Sequence, residues 1–217
     1  VAFPNKKEYV AHVVGLFSKV ADQYGFVREN GLSFTRKQSD EVEAGMAVQV
    51  AITKLPASVV VLLVDVSLRL ASVAELCEQL FARDRAIATI GGPLGRFTER
   101  DDFVTEYRFD WKGDEDRVLG QLDADIHKFS RFAESINSAQ SLDAGRLARL
   151  PGLRKNFSLG LGETYKYTVP EVAAVLHRLN GKRDEAMRTA AIAERNKSGR
   201  LSAEQLNDLR RYVSEMD

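Results

Sequence analysis

The chain has 217 residues, a mass of 24.2 kDa, and 31 basic against 31 acidic side chains. Zero net charge argues against a generic nucleic-acid binder and a polybasic membrane-surface protein, since both carry a basic excess. The 44% hydrophobic and 29% charged fractions are those of a soluble globular protein with a sizeable core. One cysteine, Cys77, excludes an intrachain disulfide framework and any Cys-rich zinc site. No leader pattern opens the chain, and the longest apolar run, residues 59–64, falls far short of the roughly 20 residues that span a bilayer. The expected setting is therefore the cytoplasm, with no membrane association.

In chain order, Pro4 opens a helix over 5–24, whose stripe is Tyr9, Val13, Leu16, Phe17, Val20 and Tyr24, and Gly25 stops it. A short extended piece at 26–28 and the Asn30-Gly31 turn signal predict a hairpin returning through Leu32, Phe34 and Arg36. Residues 43–55 alternate cleanly, with Met46, Val48, Val50 and Ile52 on one face and Ala47, Gln49, Ala51 and Thr53 on the other. Residues 58–70 form the next strand. Its even positions, Val60 to Leu70, are apolar throughout. Its odd positions run from Val59, Val61 and Leu63 to Asp65, Ser67 and Arg69. That pattern predicts a central antiparallel strand whose second face is covered at one end only.

Ser72 with Glu75 reads as a capping box for a short helix through Val73, Leu76, Leu80 and Phe81, with Cys77 beside the stripe. A further strand alternates Phe103, Thr105, Tyr107, Phe109 and Trp111 with Glu106, Arg108 and Asp110. The acids Asp114, Glu115 and Asp116 then open a long helix to about residue 138, buried through Leu119, Leu122, Ile126, Phe129, Ala133 and Ile136. Beyond residue 141 only a short strand around 165–168 interrupts helical sequence. Thr168 with Glu171 and Ser202 with Gln205 read as caps, while Asn180-Gly181 and Ser198-Gly199 read as breaks. Residues 1–140 hold 17 basic and 21 acidic side chains, and residues 141–217 hold 14 and 10, so neutrality is the sum of two opposite halves.

Little in this sequence names an activity. The only Gly-rich loop, Gly91 to Arg96, lacks the strand–loop–helix context and the lysine of a phosphate cradle, and reads as a hairpin or bulge. Residues 157–162 lack the first glycine and the preceding strand of a nucleophile elbow. His12, His127 and His177 read as helix-flank residues. The carboxylate pairs Asp101-Asp102 and Asp123/Asp125 read as a turn and as two sides of a helix. No catalytic residue, cofactor or metal site is expected. Arg146, Arg149, Arg154 and Lys155 make a locally basic segment that would need a continuous positive patch to hold RNA, and nucleic acid is not the expected partner.

The polar sheet face is the best candidate surface. It would gather Ser33, Thr35, Lys37, Gln49, Thr53, Asp65, Ser67, Arg69, Glu106, Arg108 and Asp110 if the strands pair as read. A sheet covered by helices on one side leaves the other to water or to a partner. The candidate binding residues are Lys37, Gln49, Asp65, Arg69, Glu106, Arg108, Arg149 and Arg154. The alternative is an enzyme with a dispersed polar site around Asp65, Arg69, Glu106 and Arg108.

The opening pattern is a helix ending Tyr24-Gly25-Phe26, then Gly31, then Phe34-Thr35-Arg36 and a long alternating strand. It resembles small bacterial α+β domains of unknown function, including immunity-like proteins of toxin loci, over residues 5–70 and as far as 138. The resemblance implies a helix followed by a curled antiparallel sheet and a role in binding another protein, and it carries no active site. The expected architecture is α+β: an antiparallel sheet of four to six strands packed on the helices at 5–24 and 114–138. A helical extension, 141–217, docks on this 1–140 domain. The sequence leaves the oligomeric state open.

Overall fold

A computed structural model gives the fold, and it describes residues 5–51, 55–81, 88–98, 106–142, 170–195 and 201–215. The elements run α1 (Lys6–Gln23), β1 (Val27–Asn30), β2 (Ser33–Lys37), β3 (Val42–Ala51), β4 (Val59–Leu70), α2 (Ala71–Phe81) and β5 (Ile90–Pro93). After a 3₁₀ turn (Leu94–Phe97) come β6 (Glu106–Asp110), α3 (Glu115–Glu134), α4 (Pro170–Leu179), α5 (Arg183–Arg195) and α6 (Ala203–Ser214). The architecture is α+β with a six-stranded antiparallel sheet and a C-terminal helical part. The suggested strand at 165–168, the Thr168 cap, the Ser198-Gly199 break, Asp101-Asp102 and residues 157–162 lie outside the described residues.

The sheet is ordered β1-β2-β3-β4, and the far edge of β4 is shared by two strands placed end to end. β5 pairs with residues 65–68 of β4 and β6 with residues 59–63. Strand alternation sorts the side chains as the sequence predicts. Phe34, Ala44, Met46, Val48, Val60, Leu62, Val64, Val66, Leu68, Tyr107 and Phe109 point to one buried face. Helices α1 and α3 cover it, with Phe17 edge-on to Phe34 and Phe129 between Phe26 and Phe97. The opposite face is covered only at one end, where Val59 and Val61 are buried while Asp65, Ser67 and Arg69 are half-buried.

Polar groups register α3 against its neighbours. Tyr9 donates to Glu115 (2.6 Å), Tyr24 to Asp123 (2.9 Å) and Tyr107 to Asp125 (2.8 Å). Asp123 and Asp125 are therefore tyrosine acceptors facing α1 and β6, and Asp125 is buried rather than on the helix surface. Burial, and then the carboxylate partner, hold the Tyr9 hydroxyl well above the usual phenol range and raise that of Tyr24.

Several local readings change. Asn5 caps α1 in reciprocal bonds with Glu8 (3.0 and 2.9 Å), a start signal the sequence reading did not use, while Pro4 lies outside the described residues. A bulge at Glu29 moves the hairpin turn one residue on, to Gly31-Leu32, with Gly31 at φ +49°. Ser72 does not cap α2: β4 ends at Leu70 and the helix begins at Ala71, so Ser72 is already inside the helix and its hydroxyl donates to Glu41. The cap comes instead from Glu41, whose carboxylate accepts from Ser72 N (3.2 Å) and Ser72 Oγ and whose carbonyl accepts from Ala71 N (2.8 Å). Cys77 is not beside the stripe but fully buried in the core. The Gly91 segment is strand β5 followed by a 3₁₀ turn, rather than a hairpin.

The C-terminal helices join the same apolar core. α4 packs on α2, α5 and α6, and α6 also meets α2. Residues Glu171–His177 are all buried, as expected of a helix enclosed by others. His177, read as a helix flank, is among them at 7% exposure. Ser202 and Gln205 form the capping box the sequence predicts, and the Gln205 amide also donates to Phe81 O at the end of α2. Arg178 and Arg183 reach the last carbonyls of α6, where a cation suits the helix dipole. Among the described residues no helix is long and apolar enough to cross a membrane.

Candidate functional site on the open sheet face

Strand register lays one row of residues straight across five strands of the open face: Val27, Thr35, Gly45, Ser67 and Gly91. With strands about 4.8 Å apart, this row is about 19 Å long. Its centre is made of the smallest side chains. A Cβ on Gly45 would stand 2.7 Å from Ser67 Oγ, and one on Gly91 would stand 3.0 Å from Val66 O. Glycine inside a strand weakens the strand and marks a close approach or a bend. Two in one row, flanking Ser67, leave a trough.

Its banks are the neighbouring rows. Lys37, Glu43 and Arg69 stand opposite one another on one side, and Ser33, Ala47, Asp65 and Pro93 on the other. The resulting depression holds about 510 Å³ and is lined by Glu29, Thr35, Glu43, Asp65 and Arg69 around Gly45 and Ser67. Thr35 Oγ1 donates to Glu29 (2.8 Å), which fixes one end. Three carboxylates against one guanidinium give the lining a negative excess. Lys37 leans outward to Asp40 (2.7 Å), and that bond raises the lysine pKa and lowers that of the aspartate.

The sequence-derived site residues fall into two groups. Asp65 and Arg69 line the trough, and Lys37, in the same cross-strand row as Arg69, turns away from it to Asp40. Gln49, Glu106 and Arg108 lie at the other end of the face, where Gln49 and Glu106 flank Leu63 and Arg108 stands opposite Val61. Arg69 and the partner position of Arg108 are eight residues apart on β4, about 27 Å. The four residues of the dispersed enzyme site therefore do not converge on one centre. The near neighbours among them are Asp65 and Glu106, on the diagonal between β4 and β6, and Glu106 and Arg108, two residues apart on β6. Arg149 and Arg154 lie outside the described residues. Sequence reasoning missed Gly45, Gly91 and Glu29, because their value depends on which strands pair and in what register.

The FxR element belongs to the other face. Arg36 stacks over the Phe26 ring (4.9 Å) and donates to Tyr24 O (2.9 Å), Ser130 O (3.3 Å) and Glu134 (3.4 Å), tying the ends of α1 and α3 to β2. Gly25, at φ +74°, turns the chain there, and a Cβ on it would touch Arg36 Cδ at 3.4 Å. Burial lowers the guanidinium pKa, and Glu134 works in the opposite sense. The Gly-Phe step and the arginine are one structural clamp, and neither lines the trough.

Among the described residues no group of three or more His, Cys, Asp or Glu is placed to hold a metal ion. No protein-family model, no curated protein and no solved structure matches the chain.

Proposed function

We propose that the chain is a non-enzymatic binding protein, immunity- or adaptor-like and of bacterial type, whose trough on the open sheet face takes a segment of another protein. The observation that carries this reading is the in-register row Thr35, Gly45, Ser67 and Gly91 with carboxylates on both banks. Small side chains let a partner backbone approach the sheet, and Glu29, Glu43 and Asp65 favour a segment bearing lysine or arginine. The shallow, shared character of the surface fits binding better than catalysis, which needs groups converging on one reacting atom. A cytoplasmic setting accords with Cys77 being a buried free thiol.

A photo-crosslinking amino acid at Ala47, beside the trough, tests this against one at Met187 on the exposed side of α5. In the native lysate the Ala47 probe is expected to capture one discrete protein, and the double substitution E43K/D65K to reduce that capture at least tenfold. Equal capture from both positions, or capture untouched by charge reversal, would sink the reading.

A further inference from the structure

We propose that Asn30, in the β1–β2 hairpin, is a modification site: its side-chain amide is displaced by the backbone nitrogen of Gly31, which leaves an aspartate or isoaspartate there. The reaction is independent of what the open face binds. Solvent hydroxide takes the Gly31 N–H proton, the nitrogen attacks Asn30 Cγ, and the Cγ–Nδ2 bond breaks, releasing ammonia as water returns the proton. Water then opens the five-membered imide. Cleavage at Cγ leaves aspartate, and cleavage at the main-chain carbonyl leaves isoaspartate. Nothing is oxidised or reduced. The hairpin supplies what these steps need. Asn30 is exposed at the end of an edge strand, and Gly31 lies outside the ladder that closes at Asn30 and Ser33. Among the described residues nothing accepts a bond from the Gly31 N–H, and a Cβ there would meet nothing within 4 Å, so solvent reaches the nitrogen. Arg28 donates to Gly31 O (2.6 Å), which sets a cation beside the nitrogen that must lose its proton.

The chain's other Asn-Gly step, Asn180-Gly181, has the same local sequence but ends helix α4. There Gly181 N donates to Arg178 O (3.0 Å), Asn180 N donates to Leu176 O (3.1 Å), and Asn180 Oδ1 is buried. To react, this step must first open the helix end. β1, four exposed residues with a bulge at Glu29, is instead the kind of edge that opens at little cost. The product alters the open face. Asn30 is the outer end of the row Asn30, Ser33, Ala47, Asp65 and Pro93, one bank of the trough. Deamidation puts a carboxylate beside that of Asp65 on this bank, and isoaspartate also lengthens the backbone at the pair that closes the hairpin.

Peptide mapping by mass spectrometry tests this on the whole chain at pH 8 and 37 °C, in buffer and in 6 M guanidinium chloride, with isoaspartate scored by an isoaspartyl methyltransferase. In the folded chain Asn30 is expected to convert at least about tenfold faster than Asn180, because only the second must unfold locally. The Asn30 rate should stay within about tenfold of its denatured value, and the two sites should agree within about threefold once the chain is unfolded. Both aspartate and isoaspartate should form at Asn30, since direct hydrolysis of the amide would give aspartate alone. Less than about tenfold between the sites in the folded chain, or an Asn30 rate more than about tenfold below its denatured one, overturns the proposal. A site difference that persists in denaturant, or aspartate alone at Asn30, overturns it as well.

Discussion

The two faces of the sheet are built from the same strands, one residue out of step. On the inner face, Leu68 and Val66 meet helices, and α3 is registered by three tyrosine–carboxylate bonds. On the outer face, Ser67 stands between two glycines, and Arg69 and Asp65 rise as banks. The inner face spends its polar groups on fixing geometry, whereas the outer one presents polar groups around empty space. Polar character alone therefore does not separate the two faces: the outer one sets its polar groups around a floor of small residues, and the Arg36 clamp on the inner one shows the opposite case.

Truncating adjacent residues of β4 separates the two faces most strongly. Leu68→Ala should cost about 3 kcal/mol of folding free energy, since it leaves a cavity in a core that closes only partly. Arg69→Ala, one residue on, should cost about 0.5 kcal/mol or less. Urea unfolding followed through Trp111 measures both, and equal costs would mean that the outer face is a second core rather than a surface.

A smaller effect is expected at the clamp. Arg36→Met keeps the stem over Phe26 but removes charge-assisted bonds to two helix ends, for a loss of about 2 kcal/mol. Arg28→Met on the exposed edge strand β1 should lie within about 0.5 kcal/mol of wild type. If the two substitutions cost the same, the conformity of the FxR element with the inner face is accidental.

The smallest effect is confined to alkaline pH. The hydroxyls of Tyr9 and Tyr24 carry raised pKa values, so their contribution is complete below the exposed phenol value, about 10, and is lost as pH rises through the folded value. Urea midpoints should therefore fall above pH 10 in the wild type. In Y9F/Y24F the fall should be shallower, by about 1 kcal/mol at pH 11. An unchanged alkaline limb would remove the tyrosine–carboxylate bonds from the account of the inner face.

Much of this architecture was legible because it is local. Alternation over residues 43–70 assigned Val48, Val64 and Leu68 inward and Gln49, Asp65 and Arg69 outward, since a period of two follows from backbone geometry alone. The Ser202–Gln205 cap was readable for the same reason, with both partners in one turn. The Glu41 cap of α2 was not, because the residue that satisfies those amides lies 31 positions earlier and Ser72 supplied a plausible local decoy. The trough was half legible. Its banks follow from alternation, but its floor needs Gly45, Ser67 and Gly91 brought into register from three strands, and no local pattern specifies that pairing.

The shared edge of β4 has a consequence in time as well as in space. β3 and β4 meet across a short connection and can zip as a local hairpin. The other edge must wait for two separate arrivals, β5 at residues 65–68 and β6 at 59–63, each closing its own longer loop, with Val64 at the seam between them. Until both arrive, the most apolar strand of the molecule carries an unpaired edge, the template on which a second chain could zip. The burial that makes β4 the centre of the finished fold thus makes it the most vulnerable strand of the unfinished one.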